Sequence, residues 1–371
     1  MILFYITITL FVAYSTLILF YLAGWNSIPD FIPSAKLPTT RISVIIPARN
    51  EEKNISQLLE SLQIQTYPAH LFETIVIDDH STDNTATIVK KFAGVILIKL
   101  EAININSYKK KAIETGIAAA SGELIITTDA DCIVPVHWLK TIASFKEEKN
   151  AVFIAAPVVL NNNNSLLPIF QSLDFLVLQG ITGAGVYKKF HNMCNGANLA
   201  YERKAFYEVG GFEGIDEIAS GDDILLMHKI SIKYPDNIFY LKSKEVIVTS
   251  QPALTWKDFF NQRIRWASKS THYKDKKIFS VLLLVYFFNF SLAGLLVAAF
   301  WLHFLWIGFF SLLIAKTIIE FIFIYPVAKF FNKQKLLKIF FFFQPLHIFY
   351  TLIAGWLGRF GTVEWKGRKV K

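Results

Sequence analysis

Cysteine is nearly absent from this chain. Only Cys132 and Cys194 occur in 371 residues, and neither lies in a CxxC or other metal-ligand spacing. A disulfide framework and a structural zinc site are poor readings, and two reduced thiols facing a cytosol fit better. The first apolar run, Ile2 to Ala23, lacks a basic segment before it and a small-residue cleavage site after it. It therefore reads as an uncleaved membrane anchor (residues 1–24) rather than a secretory leader. Internal repeats are missing, and low complexity is confined to Asn161–Asn164, a loop. Charge is sparse as well: 18% of residues are charged, against 53% hydrophobic and 15% aromatic. That balance indicates a membrane protein with room for one ordinary domain and several spans. The net charge of +9 would suit nucleic acid, anionic lipid or an acidic substrate. Its basic residues sit beside hydrophobic segments instead of forming one stripe, which favours a cytosolic membrane face and sets nucleic acid aside.

Between residues 41 and 277 strand and helix patterns alternate. Ile42–Ile46, Phe72–Ile77, Gly94–Leu100 and Glu123–Thr128 are short strand runs, with helical periodicity at Asn54–Gln65 and Lys109–Ala120. Strands spaced by helices of this length predict an α/β domain built on a mainly parallel sheet. Leu166, Phe170, Leu173 and Val177 recur at helical spacing, so 165–179 reads as a core helix or a helix at the membrane interface; 255–269 is a second interfacial candidate. Residues 278–357 form a C-terminal membrane region of two to three spans. Ile278–Val327 fits a hairpin turning near Trp301–Trp306, and Lys316 and Glu320 within it should face protein or pair with each other. A full crossing by Ile339–Leu357 would put the basic tail, 358–371, outside against the positive-inside rule, so that segment either breaks the rule or is re-entrant or interfacial.

Three carboxylate clusters follow strands or precede helices. Asp78-Asp79 ends the second strand, at the sheet edge where open α/β folds collect ligands; the plain alternative is a helix cap. Asp129-Ala-Asp131 follows the fourth strand, and alternate residues of an extended segment point the same way, which suits one hard cation held through oxygen. Gly221-Asp222-Asp223 precedes a helical stretch, as a cap or as a general base for an acceptor hydroxyl. Farther on, Thr255 and Asp258 make a capping-box-like start to a helix carrying Gln262, Arg265 and Trp266 on one face. An arginine fork suits diphosphate oxygens, and an indole offers a platform for a sugar ring.

In order along the chain stand Val44-Ile-Ile-Pro-Ala-Arg-Asn-Glu-Glu52, Asp78-Asp79, Lys109-Lys-Lys-Ala-Ile, Asp129-Ala-Asp131, Asn195-Gly-Ala-Asn198, Gly210-Gly-Phe212, Gly221-Asp-Asp223 and Gln262-Arg-Ile-Arg-Trp266. The series resembles the inverting family 2 glycosyltransferases of the GT-A fold. Within them it is similar to the membrane-bound branch that holds poly-N-acetylglucosamine, cellulose and hyaluronan synthases and ceramide glucosyltransferases. The resemblance covers about Arg41 to Lys269. It implies a Rossmann-like cytosolic domain at the cell membrane, a UDP-sugar donor, and Mg²⁺ or Mn²⁺. The acceptor it implies is a growing polysaccharide or, as the alternative, a lipid; synthase or export subunits are possible partners. Carried over, it gives Pro47, Ala48, Glu51, Asp78 and Asp79 to the nucleotide, Lys109 to the phosphates and Asp129 to the nucleotide sugar. Asp131 becomes the metal ligand, Asp223 the base with Asp222 beside it, Arg265 the diphosphate grip, and Gln262 and Trp266 the acceptor site. Two positions depart from the family pattern: Asp222-Asp223 replaces Glu-Asp, and Ala-Ser-Lys follows Trp266. A nucleotidyltransferase would share an Asp-rich sheet but would carry a Gly-rich loop after its first strand, which Pro47-Ala-Arg-Asn-Glu-Glu52 is not.

Overall fold

In the computed structural model the chain alternates between two compact units. Met1–Ile28, Asn162–His191 and Ala253–Lys371 make one, and Pro29–Asn161 with Asn192–Pro252 make the other. The structure describes residues 2–103, 105–162, 165–268, 275–360, 363–365 and 368–370; Lys269, the last residue of the resemblance, and Lys366 and Lys371 of the basic tail, lie outside them.

Helix α1 (Ile2–Ser27) opens the apolar unit. The sheet unit begins with β1 (Ile42–Ala48), α2 (Ile55–Gln63), β2 (Phe72–Asp78), α3 (Thr85–Val89), β3 (Val95–Lys99), α4 (Tyr108–Ala119), β4 (Leu124–Thr127) and α5 (Trp138–Lys149). It continues through β5 (Phe153–Ala155) and β6 (Val158–Leu160). After α6 (Leu166–Tyr187) the chain resumes the sheet unit as β7 (Leu199–Glu202), α7 (Arg203–Glu208), α8 (Ile224–Lys233), β8 (Ile238–Tyr240) and β9 (Val248–Ser250). Helices α9 (Trp256–Ser268), α10 (Lys276–Ala299), α11 (Leu305–Phe330) and α12 (Gln344–Phe360) complete the apolar unit.

The seven-stranded sheet has the order β3-β2-β1-β4-β7-β5-β8. β3, β2, β1 and β4 run parallel, while β7 is antiparallel to both β4 and β5. Val44, Ile45 and Ile46 of β1 are fully buried, as a central strand covered on both faces requires. Helix α4 crosses close over that strand, since a Cβ at Gly116 would stand 2.6 Å from Ile45 Cγ2. The parallel register carries Ala48 to Asp78, so β1, β2 and β4 deliver their carboxyl ends to one edge.

Among the described residues four helices of the apolar unit are long and apolar enough to cross a membrane: α1, α6, α10 and α11. The long run 278–327 is divided into α10 and α11, with the break at 300–304. Helix α6 takes up the segment 165–179. It extends to Tyr187, and its 22 residues are the most buried of the four, packed on α1 and α11. By their contacts 162–191 and the segment from Ala253 onward group with the apolar helices, and the rest of 41–277 with the sheet. Helix α12 has 17 residues, about 26 Å at the usual rise, and packs along α9 and α10.

Lys316 and Glu320 face protein. Lys316 Nζ lies 2.6 Å from Glu320 Oε1 and 2.7 Å from Gln344 Oε1, and Gln344 Nε2 donates to Glu320 Oε2 at 2.7 Å. The Tyr14 hydroxyl closes the group by donating to Glu320, so α1, α11 and α12 share one buried polar knot.

Candidate active site

The sheet's carboxyl edge is organised by two braced loops. Asp79 N–H donates to Ala48 O at 2.8 Å, which extends the β1–β2 ladder to the Asp78-Asp79 pair. Arg49 Nη1 donates to Asp79 O at 2.8 Å, and His80 Nδ1 is 3.0 Å from Asp79 Oδ1. Asp78 Oδ1 accepts from Ser81 N–H at 3.1 Å, and both aspartates are buried. Asn50 and His80 take positive φ, 52° and 54°, at the two turns. Asn50 Oδ1 then accepts from Thr82 N–H, and Glu51 N–H donates to Thr85 Oγ1, both at 2.8 Å. Asp83 completes the brace by accepting from the Thr85 amide at 3.0 Å and from its hydroxyl. Burial opposes ionisation of Asp83, but the Thr85 donors outweigh it and hold the carboxyl below its ordinary value. Pro47, Ala48, Glu51, Asp78 and Asp79 thus share one rigid rim.

The second half of the site is built around Lys109. Its ammonium lies 2.7 Å from Asp129 Oδ1 and 3.1 Å from Asp222 Oδ2. Burial alone would lower its pKa, yet Asp129 and then Asp222 more than compensate and move it upward. The neighbouring Lys110 reaches the other way, donating to Ser220 O at 2.8 Å and to Ile218 O, which pins the loop ahead of Gly221-Asp222-Asp223. Adjacent lysines at the start of α4 therefore tie two carboxylate clusters together, one through an ion pair and one through backbone.

Asp223 is the N-cap of α8. Its Oδ1 accepts from Ile224 N–H at 2.7 Å and its Oδ2 from Gly196 N–H at 3.2 Å. A Cβ at Gly196 would sit 3.1 Å from Lys109 Nζ and 3.2 Å from Asp222 Oδ2, so glycine leaves that space to the charged groups. Beneath them Tyr201 is buried on β7; burial first, then Asp222, raises its phenol, with Lys109 acting in the opposite sense. Asn198 is scaffold, taking Trp138 Nε1–H at 3.0 Å and donating to Pro157 O and Val246 O, both at 2.8 Å. The sequence marks Gly196 only as a member of Asn195-Gly-Ala-Asn198, without a role, and does not mark Tyr201.

Asp131 stands two residues past Asp129, where Ser250 Oγ donates to Oδ2 at 3.4 Å and the Cys132 thiol approaches Oδ1 at 3.7 Å. Burial, then Asp131 and Asp129, push the Cys132 thiol up. Among the described residues no group of three or more His, Cys, Asp or Glu side chains is placed to hold an ion. The donor chemistry still fits Mg²⁺ or Mn²⁺, which are commonly bound by one or two carboxylates plus substrate phosphates.

The remaining motif lies in the apolar unit. Thr255 and Asp258 cap α9 reciprocally in part, with Asp258 N–H donating to Thr255 Oγ1 at 3.1 Å and Thr255 Oγ1 to Asp258 Oδ2 at 2.7 Å. Gln262, Arg265 and Trp266 are half-buried on α9, whereas Arg263 between them is buried. Arg263 Nη1 donates to Gln262 Oε1 at 2.7 Å, and its guanidinium carbon lies 4.3 Å from the centre of the Trp266 ring.

Comparison with known proteins adds an independent line. Residues 43–210 match glycosyl transferase family 2. The chain is 28% identical over 256 residues to the probable glycosyltransferase YdaM of Bacillus subtilis, covering 67% of this chain and 59% of that protein. It is 27% identical over 237 residues to a poly-beta-1,6-N-acetyl-D-glucosamine synthase of Staphylococcus epidermidis, covering 61% and 53% of the two. The chain thus spans less than two thirds of the length of these curated relatives. Among solved structures, a mannosyltransferase of Pyrobaculum calidifontis in complex with GDP-Man and Mn²⁺ matches 96% of this chain and 98% of its own, at a TM-score of 0.60 and 18% identity, a likeness of fold. Residues 43–210, which build this sheet edge, are thus similar to glycosyl transferase family 2, on a mostly parallel α/β sheet of the GT-A kind.

Proposed function

We propose that the protein moves a sugar from a UDP-sugar to a membrane-associated acceptor, with inversion, and that this acceptor is a growing extracellular polysaccharide. The observation that carries the reading is the Lys109 bridge, which gathers Asp129 and Asp222 beside the Asp223 cap at the sheet edge where a nucleotide would lie. The rim formed by Pro47, Ala48, Glu51, Asp78 and Asp79 holds the nucleoside. Asp129 addresses the sugar diphosphate, and Lys109 offers it positive charge. Asp131, with Asp129 beside it, would hold Mg²⁺ or Mn²⁺, which when bound neutralises the charge of the leaving diphosphate. Asp223 takes the proton of the attacking hydroxyl as the general base. Arg265 at the diphosphate and Gln262 and Trp266 at the acceptor keep the roles that the resemblance gives them. One attacking hydroxyl and one leaving group, with no covalent enzyme intermediate, give a product linkage opposite to that of the donor. The apolar helices α1, α10 and α11 support a setting in the cytoplasmic membrane, and a nucleotide-sugar donor supports a cytosolic sheet unit.

The test supplies membranes containing the protein with single UDP-sugars and Mn²⁺, and with GDP-Man as the contrasting donor, and reads the product by mass spectrometry and anomeric NMR. A ladder of sugar units with inverted linkage supports the reading. A single sugar on a lipid moves the acceptor to a glycolipid, turnover of GDP-Man alone moves the donor, and a nucleotide retained in the product overturns sugar transfer altogether.

A further inference from the structure

Within Gln262-Arg263-Ile264-Arg265-Trp266, Arg263 is a buried side chain to which the resemblance gives no role. Arg263 is 5% exposed, and its planar cation lies 4.3 Å from the Trp266 ring centre and 4.7 Å from that of Phe259. One arm of the fork donates to Gln262 Oε1 at 2.7 Å. The other side of the guanidinium meets Asp174 of α6, with Nε donating to Oδ2 at 3.0 Å and Nη2 at 2.7 Å from the same oxygen. Asp174 is held from behind by the Tyr350 hydroxyl of α12, and His347 Nε2 stands 4.0 Å away. An aspartate in the middle of a helix whose surroundings are Phe170, Leu173, Phe175 and Leu176 is costly to bury without a partner. Arg263 is that partner, and the pair anchors α9 to α6 and α12.

We propose that Arg263 is a positioning residue for the acceptor, which sets the orientation of both Gln262 and Trp266. The chemistry is directional. A guanidinium has only donors, so the Gln262 side chain must turn its carbonyl oxygen toward Arg263 and present its amide N–H groups elsewhere. Gln262 therefore meets an acceptor sugar as a donor to a hydroxyl oxygen, and the stacked cation fixes the tilt of the indole on which the ring rests. Lysine in place of Arg263 keeps the charge for Asp174 but cannot lie flat on Trp266 while also reaching Gln262.

This inference rests on the acceptor role of Gln262 and Trp266, and the experiment separates the two. Full-length protein in its own membranes is given the radiolabelled nucleotide sugar that the wild type turns over, and label is divided between membrane product and free sugar released to water. For Arg263→Lys the ratio of product to free sugar is expected to fall by about 10²-fold, the scale on which a misplacement near 1 Å acts. Gln262→Glu is expected to follow it, since glutamate still accepts from Arg263 but has no N–H to offer. A normal ratio for Arg263→Lys, with a reduced ratio for Trp266→Ala, overturns the positioning role alone. A normal ratio for Trp266→Ala overturns the acceptor reading beneath it. If Arg263→Lys is not recovered as folded protein, a normal ratio in Gln262→Glu overturns the proposal by itself.

Discussion

Lys109 Nζ stands 2.7 Å from Asp129 Oδ1, a contact that joins the start of α4 to the end of β4. It also sets the charge state in which a donor diphosphate would be met: Asp129 and Asp222 are already neutralised in part by one shared cation. If that cation balances the carboxylates, Lys109→Met should lower transfer by about 10²-fold or more while Mn²⁺ alone binds more tightly, because two carboxylates lose their counter-charge. Lys109→Arg should retain a measurable part of the activity. Calorimetric titration with Mn²⁺ decides; unchanged Mn²⁺ affinity in Lys109→Met would show that Lys109 does not balance these carboxylates.

Removal of the divalent ion should stop transfer. Chelator in excess should abolish product formation, and Mg²⁺ or Mn²⁺ should restore it, in the wild type but not in Asp131→Ala. Electron paramagnetic resonance of Mn²⁺ with UDP gives a readout besides turnover, and the spectrum of the bound ion should be lost in Asp131→Ala. Full activity in chelator would take the ion out of the reaction.

Glu73 makes acid stability legible. Its Oε1 accepts from Ser43 Oγ at 2.6 Å and from Ser121 N–H and Oγ at 2.6 and 2.8 Å. Burial opposes ionisation, but these donors prevail and lower the pKa below the ordinary glutamate value. A lowered folded-state pKa contributes stability that is present above about pH 4.3, the unfolded value, and is lost as pH falls through the folded one. Glu73→Gln should therefore melt lower than wild type at pH 7, and the gap should narrow below about pH 4. A gap that stays constant from pH 7 to pH 3 would contradict the assignment.

Much of the sheet unit is readable from local pattern, and the pairing of its parts is not. Ile42–Ile46 and Phe72–Ile77 are apolar runs bounded by polar turns, so their strands follow from composition; the Asp78-Asp79 pair after the second marks the sheet edge. The parallel order could be expected, but β7, antiparallel between β4 and β5, is fixed by contacts with residues distant in sequence. The same limit hid the fate of α6. Periodicity over 165–179 showed a helix, while its membership of the apolar unit depends on α1 and α11, more than a hundred residues away on either side. Asp174 carried the overlooked signal. A carboxylate inside an apolar helix demands a partner, and the search for one leads to Arg263 and Tyr350.

The polar knot in the apolar unit gives a stability prediction. Lys316 is fully buried against Glu320, and removing one member leaves the other uncompensated. Lys316→Met should cost about 3–5 kcal/mol, the range for breaking a buried pair from one side. Lys316→Met combined with Glu320→Gln should recover most of the loss, because the unpaired charge is gone. Thermal unfolding in detergent compares the three proteins, and a double variant as unstable as the single one would mean that charge is not the cause.

The identity of the general base is decided at Asp223. Its carboxylate caps α8 through Ile224 N–H and holds Gly196 N–H, so a capping role is certain and a catalytic one is separable from it. Asparagine caps nearly as well as aspartate, and its one remaining oxygen can keep the Ile224 contact. It cannot accept a proton from an acceptor hydroxyl. If Asp223 is the base, Asp223→Asn should lower transfer by about 10²–10⁴-fold, the usual contribution of general-base catalysis, with UDP binding and melting temperature nearly unchanged. Asp222→Asn, which weakens the Lys109 bridge but leaves the cap intact, should be milder. Near-normal transfer by Asp223→Asn together with an inactive Asp222→Asn would move the base one residue back, to the carboxylate that faces Lys109. Normal transfer by both variants would place the base outside this pair, and UDP binding measured alongside keeps a lost donor site from passing as lost chemistry.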